Sequence, residues 1–434
     1  MNQRETLNIN GKGQLQIGGL TCSDLAQKFG TPLYVMDKAY IKQMCKIYSE
    51  TLKKEYGEGL ICYASKSFSC KEIYRIINEC GIGADVVSGG ELYTALSTNF
   101  PANKMCFHGN NKLLSELEMA VKNKVGYIVI DSYGEADILD EICRNENTLQ
   151  SVLIRINPGV EAHTHHFVQT ATVDSKFGFS ISNGDAESII KHVIDKKNLQ
   201  LKGLHCHIGS QIFEKKSFAL AVNKMTDFYK KIKEELNFDF DVLNLGGGFG
   251  IWYNDSDVKL SCEEYSDYIK NIAKTLLSDV KTKKIKKPIL ILEPGRSIVG
   301  EAGITLYKAG RIKNIKDVKN YIAIDGGMFE NPRFALYQAK YSVVAANRMK
   351  DKPLLKYSIA GKCCESGDII AEDCMLPEIH EGELLAVLST GAYNYSMSSN
   401  YNRNLVPPVV MVENGKAYYA VKPQSYEDIV RNDV

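Results

Sequence analysis

The chain has 434 residues, 44% of them apolar, which is ample for a large core; the length suggests two or three domains, although one barrel can take roughly 250 residues. Its 53 basic and 52 acidic residues leave a net charge of +1, which argues against nucleic acid or an anionic membrane as the main partner. Twelve cysteines without a Cys-x-x-Cys, an N-terminus (Met1-Asn-Gln-Arg-Glu-Thr6) without an apolar signal core, and no apolar run near the roughly 18 residues of a membrane span predict a soluble cytoplasmic protein with reduced thiols.

In chain order, the first 35 residues hold two strand-like stretches, 14–17 and 32–36. Eight short apolar runs rich in β-branched residues follow, at 60–66, 84–88, 104–108, 127–131, 151–157, 201–208, 242–246 and 289–293. Amphipathic helical patterns lie between them at 70–79, 114–122, 135–144, 186–196, 218–235 and 263–280. Strand and helix alternating eight times predict an α/β fold, a (β/α)8 TIM-type barrel over 36–298. A doubly wound open sheet fits the same periodicity. After Gly300 the helical period fades, and strand-like runs at 304–308, 321–324, 384–389, 409–412 and 417–421 predict a second, mostly β domain, a β-sandwich or β-barrel of 1–35 plus 299–434.

In such barrels the chemistry sits at the C-terminal ends of the strands. Here those ends carry Lys66, Asp85, His108, Asp131, Arg155, His207, Gly246–Gly248 and Glu293. Lys66 closes the first run, Leu60-Ile-Cys-Tyr-Ala-Ser-Lys. A lysine there either snorkels to solvent or, with its pKa lowered by burial, becomes a nucleophile able to condense with an aldehyde. The glycine run Leu245-Gly-Gly-Gly-Phe-Gly250 after strand seven lets backbone N–H groups approach an anion, though such a run is also an ordinary tight turn. Glu293-Pro-Gly-Arg-Ser297 after strand eight adds a carboxylate, a cation and further backbone donors. His205 and His207 share a strand face, either as a metal pair or with one flat ring stacked on a planar cofactor. Only eight histidines occur, with His163, His165 and His166 in a loop-like stretch, so no metal site is expected. An amine, a phosphate cradle, a carboxylate and a stacking imidazole converge on pyridoxal 5′-phosphate.

The motifs resemble those of the diaminopimelate decarboxylase family, in the alanine-racemase-like (fold type III) group of PLP enzymes. The resemblance runs over nearly the whole chain. It rests on Gly30-Thr-Pro-Leu-Tyr-Val, Tyr63-Ala-Ser-Lys, Ala84-Asp-Val-Val-Ser-Gly-Gly-Glu-Leu, Phe107-His-Gly-Asn-Asn-Lys, Ser175-Lys-Phe-Gly, His205-Cys-His-Ile-Gly-Ser-Gln, Gly246-Gly-Gly-Phe-Gly and Glu293-Pro-Gly-Arg-Ser. In the β domain it includes Asn331-Pro-Arg-Phe-Ala-Leu-Tyr, Cys364-Glu-Ser-Gly-Asp and Gly391-Ala-Tyr. It implies that Lys66 carries the cofactor, that His207 stacks on its ring, and that Glu293 pairs with the ring nitrogen. Ser210, Gly248, Gly295, Arg296 and Tyr393 would hold the phosphate. Arg296, Arg333, Tyr337 and Tyr393 would bind substrate, with Glu365 facing its distal ammonium. Cys364 would return a proton to Cα from across a homodimer interface, so that each site is shared.

The reaction so implied is decarboxylation of meso-2,6-diaminopimelate to L-lysine and CO2, the last step of lysine biosynthesis. A related basic or carboxylated-polyamine substrate, a racemase and a non-catalytic PLP-binding protein are the alternatives. A racemase would use a tyrosine as second base and have little need of Cys364-Glu365, and a single-domain PLP-binding protein would lack a β domain and so counterparts of Cys364 and Tyr393. Bland readings also stand: Arg333 and Tyr337, four apart, would simply pack on one helical turn, and Cys364 would be a small buried hydrophobe. Asp85 and Arg155 would orient the lysine or fill the barrel. The chain departs from the family pattern at Ser67-Phe68, where Ala-Asn is usual, at Glu161, where Asp is usual, and at His166, where Glu is common.

Overall fold

The computed structural model describes residues 6–160 and 175–434, so Glu161, His163, His165, His166 and most of the loop-like stretch lie outside the described residues. Two compact units are present. One comprises 44–250 and 260–295; the other comprises residues up to Gln43, Ile251–Lys259 and Arg296–Val434. These limits differ from 36 and 298 because strand Leu33–Asp37 pairs with Gly303–Ile315 and Val409–Glu413, and because Trp252 joins the apolar core of that β-rich unit.

The first unit is a closed parallel barrel. Its strands are β1 (Gly59–Ala64), β2 (Gly83–Val86), β3 (Met105–Phe107), β4 (Tyr127–Ile130), β5 (Gln150–Asn157), β6 (Leu199–His205), β7 (Val242–Asn244) and β8 (Ile289–Leu292). Each pairs with the next, and β8 pairs back on β1, which excludes the open sheet. The connecting helices are α1 (Lys71–Glu79), α2 (Gly89–Leu96), α3 (Leu114–Lys122), α4 (Tyr133–Asn145), α5 (Asp185–Ile194), α6 (Lys215–Leu236) and α7 (Cys262–Lys283). Cys62, Cys106, Val129, Leu153, Val242 and Ile291, from six strands, pack into one buried cluster. That is the side-chain layer expected of a filled barrel rather than a pore.

Helix starts follow from local chemistry. Ser88, Ser132 and Ser261 each stand three residues before a glutamate, and each hydroxyl accepts the glutamate's backbone N–H. This satisfies donors that the first helical turn leaves orphaned. The device after β2 and β4 ends the strand within two residues and turns the chain outward, so the strand-end side chains stay at the rim.

In the second unit the strand order is Ile369–Leu376, Leu355–Ala360, Lys319–Ile324, Gly303–Ile315, Leu33–Asp37, Val409–Glu413, Lys416–Val421, with Leu384–Val387 also pairing Gly303–Ile315. The long strand Gly303–Ile315 serves two neighbourhoods: its first half pairs with Leu33–Asp37 and Leu384–Val387, its second with Lys319–Ile324. Strands Val343–Ala345, Leu355–Ala360 and Ile369–Leu376 escape the sequence reading. In the last of these, Glu372-Asp373 interrupts the apolar pattern, and Asp373 takes a positive φ of 55°. No helix among the described residues is long and apolar enough to cross a membrane.

Candidate active site

The C-terminal rim of the barrel gathers the predicted strand-end residues. Lys66 lies in the 3-10 turn Ser65–Ser67 that ends β1. Its side chain is exposed, whereas Ser65 and Ser67 are fully buried. The turn buries both serines and leaves the lysine exposed, within electrostatic reach of buried Asp85 and of His207. The unusual pair Ser67-Phe68 locks it. Ser67 Oγ donates to Ala64 O (2.7 Å) and lies 3.0 Å from Tyr63 Oη, which donates to Phe68 O (2.9 Å), while the Phe68 ring is buried.

Glu293, just past β8, is buried and held from three strands. His108 Nε2 lies 2.8 Å from Oε1, Asn244 Nδ2 donates to Oε1 at 2.5 Å, and His205 Nε2 lies 3.3 Å from Oε2. Burial opposes its charge, but the two imidazoles outweigh it and hold the carboxyl well below its ordinary value. Burial pushes His205 down to about 3 despite Glu293, so His205 offers a neutral N–H. Burial, reinforced by Lys66 and Arg155, also holds His207 well below the usual imidazole value. Gly247 N donates to His207 Nδ1 at 3.4 Å, which leaves the proton of the neutral ring on Nε2. Asp85 is buried, and burial lifts it to about 6 against the pull of His108.

Three successive rim loops pack backbone on backbone. A Cβ on Gly248 (φ +105°) would come within 2.2 Å of Gly209 O, and one on Gly247 within 2.1 Å of Glu293 O. Only glycine permits that approach. The N–H groups of Gly248 and Gly295 have no protein acceptor among the described residues. Ser210 lies in the loop after β6, and backbone donors on rim loops after the last strands are what a barrel can offer an anion.

The β-rich unit contributes a separate cluster. Arg296 and Arg333 are both buried, and both donate to Tyr253 Oη, Arg333 at 3.0 Å. Arg333 also donates to Tyr341 Oη at 2.7 Å. Burial opposes ionisation of Tyr253, but the two guanidiniums pull its phenol below the usual value. Arg296 stacks over the Tyr393 ring at 4.6 Å, and Tyr393 itself takes φ +61°, a strained conformation for a non-glycine residue of the kind that collects at working sites. Tyr337, on the same short helix as Arg333 (Arg333–Tyr337), is not among Arg333's partners. Arg333 therefore packs on Tyr253 and Tyr341, eighty residues before it and eight after it.

Cys364 and Glu365 are exposed, which rules out the reading of Cys364 as a buried hydrophobe. Cys364 N donates to Asn402 Oδ1 at 2.8 Å, and Asp368 braces the loop by accepting Cys363 N (2.7 Å) and Met328 N (2.6 Å).

The sequence reading missed Asn244, Tyr253 and Tyr341. Asn244 carries one legible signal, an amide in the apolar run Val242-Leu-Asn-Leu245. The tyrosines carry none, since their importance lies in contacts with residues distant in sequence.

Residues 41–300 match the family described as pyridoxal-dependent decarboxylase, pyridoxal binding domain. The chain is 47% identical to the diaminopimelate decarboxylase of Bacillus subtilis over 98% of this chain and 96% of that one. It is 44% identical to that of Staphylococcus aureus over 99% of each. Among solved structures, diaminopimelate decarboxylase from M. jannaschii in co-complex with L-lysine is similar with a TM-score of 0.91 at 34% identity, covering 99% of this chain and 98% of that one.

Proposed function

The chain belongs to the pyridoxal-dependent decarboxylases, in the diaminopimelate decarboxylase family, and from that premise we propose that it converts meso-2,6-diaminopimelate to L-lysine and CO2. The rim residues fit pyridoxal 5′-phosphate: an exposed amine, a carboxylate held charged, a neutral imidazole, and glycine loops with unused N–H donors. When bound, that cofactor supplies the electron sink for the pair left by the broken bond to the carboxylate. Lys66 would hold the cofactor through its aldehyde carbon, and His207 would stack on its ring. Glu293 would hold the proton on the ring nitrogen. The phosphate would be held by Ser210, Gly248, Gly295, Arg296 and Tyr393.

Arg333 carries the substrate assignment. It is a buried cation held only by phenol oxygens and aromatic faces, with no carboxylate partner among the described residues. Diaminopimelate has a carboxylate at each end, so one remains to pair with Arg333 while the other leaves. Arg296, Tyr337 and Tyr393 assist in gripping it, and Glu365 takes the distal ammonium. Ornithine would leave Arg333 buried and unpaired, a penalty of about 3 kcal/mol or more. CO2 release from meso-diaminopimelate, dependent on added PLP, is therefore expected at a kcat/KM roughly 10²-fold or more above that for ornithine. Equal turnover of the two substrates would refute the assignment.

Cys364 returns a proton to Cα, and its exposure on a lone chain supports donation to a second copy. Lys66→Ala and Cys364→Ala proteins, each nearly inactive alone, are then expected to recover activity when mixed. At equal mixing half the dimers carry one native site of two, giving about a quarter of the wild-type rate. No recovery despite demonstrated subunit exchange would exclude a shared site. Twelve free cysteines support a cytoplasmic placement, which cell fractionation tests.

A further inference from the structure

We propose that His108, His205 and Asn244 are positioning residues that fix the orientation of Glu293 for the cofactor's ring nitrogen. The inference rests on the reading of Glu293 as that nitrogen's partner. The observation behind it is how completely the barrel wall immobilises one carboxylate. Donors arrive from three strands: His108 past β3 at 2.8 Å, Asn244 on β7 at 2.5 Å, and His205 on β6 at 3.3 Å. Every one of these residues is buried. Such charge-assisted bonds inside a low-dielectric wall are stronger and more directional than neutral ones.

The donors are themselves held. Asn244 Oδ1 accepts Gly246 N at 2.9 Å, so a single amide ties the glycine turn to the carboxylate. The rings of His108 and His205 lie 4.6 Å apart and brace each other. His108 Nε2 also faces Asp85 Oδ1 at 3.7 Å, and that oxygen has no hydrogen-bond partner. His108 therefore stands between two buried carboxylates and bonds to one, which fixes its ring. Beyond the two imidazoles' hold on the charge of Glu293, the three donors together determine where that carboxylate can point. A carboxylate free to rotate would meet the ring nitrogen in only a fraction of molecules, weakening both cofactor affinity and the electron-sink step while leaving substrate contacts intact.

The test compares His108→Phe, His108→Gln and His108→Asn. Glutamine keeps a donor at the position of Nε2; asparagine is polar but too short, and phenylalanine keeps only the shape. Apoprotein is titrated with PLP without substrate, and kcat and KM are then measured on the holoenzyme. The Phe and Asn variants are expected to bind PLP about tenfold more weakly and to lose kcat about tenfold or more, with KM for substrate nearly unchanged. His108→Gln is expected within about threefold of wild type in both. If His108→Phe does not fold, the Gln and Asn pair decides alone. Wild-type PLP affinity in the Asn variant, or equal losses in Gln and Asn, would overturn the proposal. PLP affinity is read without any substrate, so this outcome is independent of whether diaminopimelate is the compound turned over.

Discussion

Lys66→Ala is expected to lower CO2 release from diaminopimelate by at least about 10³-fold and to abolish the visible absorption of bound PLP, while the apoprotein melts as wild type does. The reasoning is steric as well as chemical. The 3-10 turn at Ser65–Ser67 leaves this one amine exposed at the rim while its flanking serines are buried, and Ser67 and Phe68 fix the turn through Tyr63. Because the side chain is exposed, its loss leaves no buried cavity and should cost little stability. A variant retaining a tenth of wild-type turnover would exclude Lys66 as the lysine that holds the cofactor.

Glu293→Gln should be nearly as damaging, with kcat reduced roughly 10²- to 10³-fold, the range for removing one preorganised electrostatic partner. Glutamine is close in shape, and its amide oxygen still accepts from His108 and Asn244, so the wall stays packed. It carries no charge, however, and cannot hold a proton on the ring nitrogen. Its NH2 would also face His205 Nε2, donor against donor, where the carboxylate now accepts at 3.3 Å. Steady-state kinetics read this directly; a kcat within tenfold of wild type would show that the ring nitrogen does not depend on Glu293.

These effects differ in how far they were legible beforehand. The eight barrel strands are predictable because a parallel strand buried on both faces is a short apolar run, and the helices between them carry a different period. Strand ends then identify Lys66, His108, His207 and Glu293 as rim residues. The helix Lys38–Glu55 and the short α2 escaped notice, as did the segment Ile251–Lys259, which belongs with the β-rich unit although it lies between two barrel strands in the chain. From the sequence, a lysine at this strand end either snorkels to solvent or is buried as a working amine. The structure leaves its side chain exposed at the rim, close enough to act on His207 and on buried Asp85.

By itself the chain order of apolar runs, glycines and strand-end polar residues pointed to alternating strands and helices and to the cofactor, because those signals are local and repeat at fixed spacing. The family rested on the resemblance of the motifs, and only the pairing of β8 with β1 decided the barrel over an open sheet. Tertiary structure alone decided which polar groups meet. His108, His205, Asn244 and Glu293 converge only when β8 closes on β1, and Arg333 finds Tyr253 and Tyr341 only when the β-rich unit folds. Hydrogen bonds reach about 3 Å whatever the separation along the chain, so no pattern in the sequence records them.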